Sequence, residues 1–433
     1  MGKLKLNLFE SLSCRNFRLY FIGQCISLTG SWIQQVAMGW LVYRLTGSVA
    51  LLGIIVFLSQ APTFIITPLV SSLIDRISQK KILVYTQVFF IVHALSLTIL
   101  VMGNMLNPNN VWIVLVLSLF FGIVNALDQP TRQAFYIGLV PKQMLTNAVA
   151  LNSSIINGTR LIGPAIGGFL IVMIGEGGCF LVDTISYFFV IIALFMIQLK
   201  KIEPSKIKHN LIKDTMEGVN YIKNSLPIKV LLITIFGLSF FVLPVTTFFP
   251  AYIKDSLGQG SQALGSLMSF LGIGSFGGAL FLASRKTIVN LDKIQRLGIL
   301  FTSLILIPFF FIKNIYLSHL LSLFLGLSMA CAIASTNTII QFLTPFNMKG
   351  RIMGYYTMCF IGGSSLGNLI IGYFANLISL KVVMSIGGIT CLLLLIILNP
   401  YIKKINLNFN EEADDSGIIP EIVQGISQSE IER

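Results

Sequence analysis

Four ionisable side chains stand inside strongly apolar stretches of the sequence, namely Asp128, Arg132, Arg160 and Asp183. A charge near the middle of a membrane-embedded helix costs about 2.5–3.5 kcal/mol on insertion scales, so it faces a polar interior or a partner. An arginine there can bind an anionic group, and a carboxylate can take up and release a proton. We therefore predict that Arg160 contacts a substrate or a proton-coupling acid. A structural charge pair, or a cap on a helix carbonyl, is the alternative.

The acidic residues offer two sites for protonation. Asp128 and Arg132 are one helical turn apart and can pair. Asp128 could titrate, or the two residues could join Asp75, Arg76 and Lys80 in a charge cluster that latches a gate. Asp183 is the second candidate for proton coupling, and its alternative role is an anchor at the membrane surface.

The stretch NGTRLIGPAIGG, residues 157–168, combines an arginine with glycines and a proline. Pro164 has no N–H, so it frees the carbonyl of Arg160 four residues earlier. The small residues let another helix approach closely, and Gly274 and Gly278 offer a similar face later in the chain. We predict a hinge-like packing surface, with ordinary tight packing as the alternative. Its residues are Gly163, Pro164, Gly167 and Gly168.

The elements that must position these residues are membrane helices. The chain of 433 residues is 55% hydrophobic and 11% charged, whereas soluble proteins average about 25% charged residues. Apolar runs of about 20 residues, enough to cross a bilayer, recur along the chain. Twelve spans are predicted: 17–42, 49–74, 82–104, 111–136, 146–175, 179–199, 228–253, 262–284, 294–312, 315–341, 350–378 and 382–402.

The basic residues predict the orientation of these spans. With both termini in the cytoplasm, cytoplasmic segments hold 25 of the 30 Lys and Arg residues, and four lie on the opposite side. This asymmetry follows the positive-inside rule. The net charge of +13 is then a topology signal rather than a sign of nucleic-acid binding.

The second half of the sequence weakly repeats the first at a shift of 204 residues, which places Pro141 on Pro345 and Gly163 on Gly367. We predict two six-helix bundles with a site between them. The domains are 1–199 and 228–402, joined by a cytoplasmic connector at 200–227 and followed by a disordered acidic tail at 403–433. Within the connector, apolar residues at helical spacing predict an amphipathic helix; a solvated linker is the alternative.

Two motifs resemble a known family. The turn SSLIDRISQKK, residues 71–81, is similar to the signature of the major facilitator superfamily, with serines in place of both glycines. The segments at 32–48 and 128–168 resemble the branch of enterobactin-type exporters and transmembrane secretion effectors, which handle drugs and siderophores. Gly163-Pro164-x-x-Gly167-Gly168 is similar to the fifth-helix motif associated with antiporters there. The implied gating residues are Asp75, Arg76, Lys80 and Arg132.

The resemblance implies an all-α membrane protein with the twelve-helix major facilitator fold. Its first, fourth, seventh and tenth helices line a central path. The first span carries a stripe of polar residues that could line this path, or could join helices together. The candidate substrate-binding residues are Gln24, Ser31, Gln34, Gln35, Asn125, Arg160, Thr246 and Asn337.

The expected function is secondary transport across the plasma (inner) membrane, in which a proton or other cation gradient exports a bulky amphipathic small molecule by alternating access. Import of a siderophore or nutrient on the same fold, and a non-transporting receptor or scaffold, are the alternatives. No phosphate-binding G-x-x-x-x-G-K-[ST] motif occurs, and the three histidines have no metal-ligand spacing. An enzyme, a cofactor and a metal site are not expected. We expect a monomer whose partners are its substrate and the lipid bilayer.

Overall fold

The computed structural model describes residues 10–74, 78–198, 211–285, 288–345 and 348–403. This part of the chain is helical. The helices are α1 (Arg15–Thr46), α2 (Val49–Ile74), α3 (Gln79–Met102), α4 (Trp112–Ile137), α5 (Leu145–Met196), α6 (Leu211–Asn224), α7 (Leu226–Phe241), α8 (Phe249–Ala251), α9 (Ser261–Ala283), α10 (Leu291–Phe309), α11 (Ile315–Leu343), α12 (Lys349–Thr357), α13 (Gly363–Leu377) and α14 (Leu380–Lys403).

Eight helical stretches in the described residues are long and apolar enough to cross a membrane. One of them, Asn147–Met196, combines the predicted fifth and sixth spans. A straight helix of 50 residues would measure about 75 Å at 1.5 Å per residue, more than twice the hydrocarbon thickness of about 30 Å. Gly175, with φ of 71°, breaks the run. A left-handed backbone costs glycine least, because it has no Cβ.

Two predicted spans correspond to single helical stretches, Leu226–Ser256 and Lys349–Leu377, that contain irregular turns. In the predicted span 228–253, α7 ends at Phe241 and is followed by a 3₁₀ turn at Leu243–Thr246 and a π-helical turn at Tyr252–Ser256. Pro244 and Pro250 lack the N–H that would continue the hydrogen-bond ladder. The predicted span 350–378 contains a second π-helical turn, Met358–Gly362, between α12 and α13.

The bundle has two ends, which contacts between distant residues define. At the near end, where α1 begins, Asn16 Nδ2 donates to the carbonyl oxygen of Gln198 at 2.8 Å. At the far end, where α1 finishes, Arg44 Nε pairs with Glu176 Oε1 at 2.6 Å. The far end also joins the two halves of the sequence, since the Tyr43 hydroxyl donates to Asp255.

The clusters of buried apolar residues also differ between the two ends of the bundle. One large cluster contains side chains from both halves, such as Tyr43 of α1 and Phe248 close to α8. Towards the near end, the cluster around Phe17 and Phe135 draws only on the first half, and the cluster around Ile228 and Ile352 draws only on the second. The halves therefore share a core at the far end and have separate cores at the near end.

Glycines make the contacts between the halves very close. A Cβ placed on Gly265 of α9 would lie 2.7 Å from the Cα of Gly168 on α5. A Cβ on Gly372 of α13 would lie 3.2 Å from the Cα of Gly53 on α2. Any larger side chain at the first pair would push α5 and α9 apart at the far end.

Gly274 and Gly278 on the eighth span, which offered a similar small face in the sequence, do not meet the glycines of α5. Gly274 and Gly278 of α9 pack against the backbone of α11 at Leu323 and Leu327, within the second half. Residue 274 lies nine positions after Gly265, which is half a turn round the helix at 100° per residue. The small face that meets α5 is therefore the one carrying Gly265.

The connector contributes α6, which packs at the near end of the second half. Glu217 Oε2 accepts from Arg351 Nη1 of α12 at 2.7 Å. A Cβ on Gly218 would lie 2.7 Å from the ring of Tyr355. Residue 199, the connector residues 200–210 and the tail residues 404–433, predicted to be disordered, lie outside the described residues.

Candidate functional site

Arg160 projects from α5 between the faces that contact α1 and α9. On one side, Gly163 and Gly167 pack against Trp32 and Ile33 of α1. On the other side, Gly168 contacts α9. At 100° per residue, position 160 falls between these two directions. The Arg160 guanidinium lies 5.7 Å from the centroid of the Trp32 ring, which is within the range of a cation–π contact.

The side chain of Arg160 is exposed, unlike the glycines that follow it. Val149, Ser153 and Ile156 are also exposed and lie on the same helical face, towards the near end. We call Val149, Ser153, Ile156 and Arg160 the α5 stripe. It borders the region between α1 and α9 towards the near end, where the two halves have separate apolar cores.

Pro164 lies within α5 and is buried. Its carbonyl oxygen would lie 3.1 Å from a Cβ on Gly265, so the residue belongs to the close contact between α5 and α9. The four residues predicted to form the packing surface therefore contact two helices, α1 and α9. Their role as a hinge stays a prediction.

Asp128 is fully buried and receives several donors. Thr86 Oγ1 and Gln87 Nε2 of α3 donate to Asp128 Oδ1 at 2.6 Å and 3.1 Å. Arg132 Nε lies 2.8 Å from Asp128 Oδ2, and Arg132 Nη1 donates to Gln24 Oε1 at 3.2 Å. These contacts join α3, α4 and α1 around one buried carboxyl group.

This cluster differs from the predicted gate. Lys80 donates to the carbonyl oxygen of Ile197 at 2.8 Å, so its described contact is with the end of α5 rather than with Asp128 or Arg132. The reason is geometric: Lys80 stands in the first turn of α3, two turns before the residues that hold Asp128. Asp75 and Arg76 lie outside the described residues, and their gating role stays a prediction.

Asp183 lies inside the protein, so its alternative role as a surface anchor was wrong. The residue is fully buried. Ser186 Oγ lies 3.2 Å from Asp183 Oδ1, and a Cβ on Gly30 of α1 would lie 2.8 Å from the same oxygen. Tyr187, one turn further along α5, places its hydroxyl beside this carboxyl. The helix changes direction at Gly175, and Asp183 lies about two helical turns after this kink, inside the bundle.

The polar residues of α1 separate into two groups. Gln24 and Gln34 are buried, and their predicted contact with a substrate stays a prediction. Gln24 supports Arg132. Gln35 is exposed and Ser31 is half-buried, with its hydroxyl 3.3 Å from that of Tyr187.

The candidates on the other helices are each half-buried. Asn125 lies on α4 and Thr246 in the 3₁₀ turn after α7. Asn337 of α11 accepts a hydrogen bond from Gln341 at 2.6 Å. Their partial exposure is compatible with the predicted contact to a substrate, which stays a prediction.

A groove of about 480 Å³ lies on the opposite face of α1 from its glutamines. It runs between α1 and the second part of α5, and Ile26, Ile33, Ile185 and Phe189 contribute to its walls. These walls are mostly apolar, and Ile185 and Phe189 are exposed. The groove is therefore separate from the space that Arg160 faces.

The sequence identifies the family. Residues 7–419 match the transmembrane secretion effector family. The chain belongs to this family. Its resemblance to the secretion-effector branch of the major facilitator superfamily is thereby confirmed. Members of this superfamily are transporters, so this chain is a multi-pass plasma membrane transporter and not an enzyme.

Individual relatives agree with this assignment. The staphyloferrin A transporter of Staphylococcus aureus is 24% identical over 91% of this chain and 98% of its own. A multidrug resistance efflux pump PmrA homologue of Lactococcus lactis is 24% identical over 82% of this chain and 86% of its own. A bacterial homologue of the iron transporter ferroportin, solved in an inward-facing state, superposes with a TM-score of 0.67 at 15% identity over 90% and 99% of the two chains. The all-helical major facilitator fold follows.

Several residues of the transporter's site escaped the sequence analysis. Trp32, Thr86, Gln87 and Tyr187 contact the predicted ionisable residues, yet none was assigned a role. Thr86 and Gln87 are adjacent polar residues in an apolar helix, which is a signal of a buried partner. Tyr187 stands at i+4 from Asp183, the spacing at which side chains meet on a helix.

Proposed function

We propose that this transporter is a proton-coupled exporter of a bulky amphipathic small molecule, such as a siderophore or a drug. The near end of the bundle faces the cytoplasm, where the positive-inside rule places both termini. In this arrangement, the protein is open to the cytoplasm and closed at the outer surface. Two six-helix halves, twelve spans in total, rock about the central space, and the transporter acts as a monomer.

The observation that supports the proposal most strongly is the exposure of Arg160. This cation borders a space that the glycine contacts close at the far end and that opens at the near end. A membrane-embedded arginine is favourable only beside water, a partner or a substrate. Together with the Trp32 ring, Arg160 offers a charged group and an aromatic surface to an amphipathic molecule. The name of the Lactococcus lactis relative supports export as the direction.

Proton coupling requires an acid that changes its protonation during the cycle. Asp128 and Asp183 are the two fully buried acids in the described residues. Replacing both with asparagine is expected to abolish substrate accumulation driven by a proton gradient in vesicles. Accumulation that persists in the double variant would reject this coupling assignment.

Comparison of metabolites in cells and culture medium tests the transport itself. A strain lacking the gene should retain a compound that its parent releases. Restoring the gene with Arg160→Gln should leave the compound inside the cells. Arg44→Gln, a control that removes an arginine from the far-end surface, should restore release. Equal contents in parent and deletion strains would contradict transport, and a lower content in the deletion strain would indicate import.

A further inference from the structure

The Asp183 carboxyl, the Tyr187 hydroxyl and the Ser31 hydroxyl lie between the buried interior of the first half and the polar face of α1. Asp183 lies beside Ser186 and Tyr187 on its own helix. The Tyr187 hydroxyl is 3.3 Å from Ser31 Oγ. Ser31 donates to the carbonyl oxygen of Ser27 at 3.0 Å, so Tyr187 must be the donor in the bond between the two hydroxyls.

The surroundings of Asp183 do not compensate a negative charge. Its described contacts are hydroxyl groups and the backbone of α1 at Gly30. A Cβ on Gly30 would lie 2.5 Å from Ser186 Oγ and 2.8 Å from Asp183 Oδ1, so α1 lies directly on the carboxyl group. A buried carboxylate without a positive partner is strongly unfavourable and takes up a proton instead.

The nearby charged groups pair with residues other than Asp183. On α4, Asp128 and Arg132 pair with one another. On α5, Glu176 pairs with Arg44 at the far end.

Two more titratable groups lie on the neighbouring helices. His93 of α3 packs against the Phe121 ring, with centroids 5.2 Å apart. Cys25 of α1 lines the apolar groove. Among the described contacts, neither side chain meets Asp183, so neither supplies it with a positive charge.

We propose that Asp183 is the protonation site of the transport cycle and that Tyr187 and Ser31 relay its proton to the central space. The proposal rests on the proposed function, because it selects one of the two acids considered there. In the present conformation, Asp183 is protonated and donates to a neighbouring hydroxyl. Asp128 is paired with Arg132 and takes no part in the relay.

The relay conserves protons at every group. The Asp183 carboxyl transfers its proton to the Tyr187 oxygen, while the Tyr187 proton passes to the Ser31 oxygen. The Ser31 hydroxyl turns from the Ser27 carbonyl and releases its own proton to water in the central space. Each hydroxyl ends with one proton, and Asp183 becomes a carboxylate. Gln35, exposed one turn along α1, marks where this polar face reaches the space.

Ionisation of Asp183 becomes favourable when α1 moves away from α5 and water or a cation reaches the carboxyl group. The close contact at Gly30 therefore connects the protonation state to the position of α1. Movement of α1 relative to the second part of α5 would change the cost of the charge, which is the condition for a proton to shift a conformational equilibrium.

Infrared difference spectroscopy after a pH jump tests the assignment without a substrate. The full-length protein in nanodiscs should show the carbonyl stretch of a buried protonated carboxyl group, lost as the pH rises. Asp183→Asn should remove this band, whereas the matched variant Asp128→Asn should retain it. A band lost only in Asp128→Asn, or no band in the unmodified protein at any pH, would overturn the proposal.

The relay is tested by the rate at which the band disappears. Tyr187→Phe and Ser31→Ala should keep the band and slow its loss by at least about tenfold, the change in rate for a barrier higher by about 1.4 kcal/mol. Ser96→Ala, which removes an exposed hydroxyl on α3, should change neither quantity. Unchanged rates in both relay variants would reject the relay, and they remain informative if Asp183→Asn does not fold.

The spectroscopic result is independent of transport direction and substrate. If the metabolite comparison shows no transport while the band behaves as expected, the proposed function fails and the protonation site stands. If transport is present but Asp183→Asn leaves gradient-driven accumulation intact, the proposed function stands and the coupling role of Asp183 fails.

Discussion

The two halves of the transporter bury different kinds of polar group. In the first half, Asp128 and Asp183 are fully buried and Arg132 pairs with Asp128. In the second half, the fully buried polar side chains among the described residues carry no charge. At the corresponding contact between α10 and α11, Gln295 Nε2 donates to Thr336 Oγ1 at 2.8 Å. Among the described residues, fully buried charge is therefore confined to the first half.

The helices of the two halves also differ, because those of the second half are more often irregular. In the first half, α1 to α4 run without a break, and α5 is interrupted only at Gly175. In the second half, the π-helical turns Tyr252–Ser256 and Met358–Gly362 and the 3₁₀ turn Leu243–Thr246 interrupt the helices. Buried charges require fixed partners, whereas π-helical turns often mark functional positions in helices. We therefore expect the second half to deform more easily than the first, in which fully buried charges and continuous helices occur together.

Removing a buried charge should have the largest effect on stability. Asp128→Asn leaves Arg132 without its counter-charge, and we expect a loss of about 1–3 kcal/mol in the free energy of unfolding. Thr336→Val, its counterpart in the second half, removes one hydrogen bond and should lower the free energy of unfolding by about 1 kcal/mol. Chemical denaturation of both variants in nanodiscs measures the difference. Equal losses would mean that the buried charge is not the distinguishing feature of the first half.

Gly168→Ala should disturb the contact that joins the two halves. Overpacking costs about 1–3 kcal/mol, so the closed far end should become about tenfold less populated. Spin labels at Met173→Cys and Gln262→Cys, without the native cysteines, would report a longer distance between α5 and α9. Gly158→Ala is the matched control on α5, since its Cβ would meet nothing within 4 Å. A similar shift in both variants would contradict the assigned contact.

Pro244→Ala tests whether the breaks in the second half provide its deformability. The substitution restores an N–H and should allow one more backbone hydrogen bond, which is worth about 1 kcal/mol. Amide hydrogen exchange around residues 242–248 should then slow by about fivefold. Pro130→Ala in the uninterrupted α4 should change exchange less. The comparison of backbones would be wrong if Pro130→Ala had the larger effect.

The exposed ion pairs should contribute least, and similarly in the two halves. Arg44→Gln breaks the pair with Glu176, and Arg351→Gln breaks the pair with Glu217. Each should change the free energy of unfolding by no more than about 1 kcal/mol, since water and salt weaken such pairs. High salt should reduce the difference further. A larger, salt-independent loss at one pair would identify it as structurally important.

Parts of the site could be predicted because they depend on neighbours in sequence. The i,i+4 spacing of Asp128 and Arg132 predicted their pairing, which the structure contains. Pro244 and Pro250 could have predicted the irregular turns within the seventh span, because each lacks the N–H that continues a helical hydrogen-bond ladder. The contact of Gly168 with Gly265 could not be predicted, since many glycine pairs are available and only packing selects one.

The sequence by itself determined that this protein is a helical membrane transporter of the secretion effector family, because long apolar runs and local motifs are properties of neighbouring residues. The tertiary structure alone decided which way each polar residue faces. It placed Gln24 and Asp183 inside the first half and left Arg160 exposed beside Trp32. The physical reason is that helical periodicity sets the angle between residues on one helix, whereas the rotation of that helix depends on packing against segments far away in the chain.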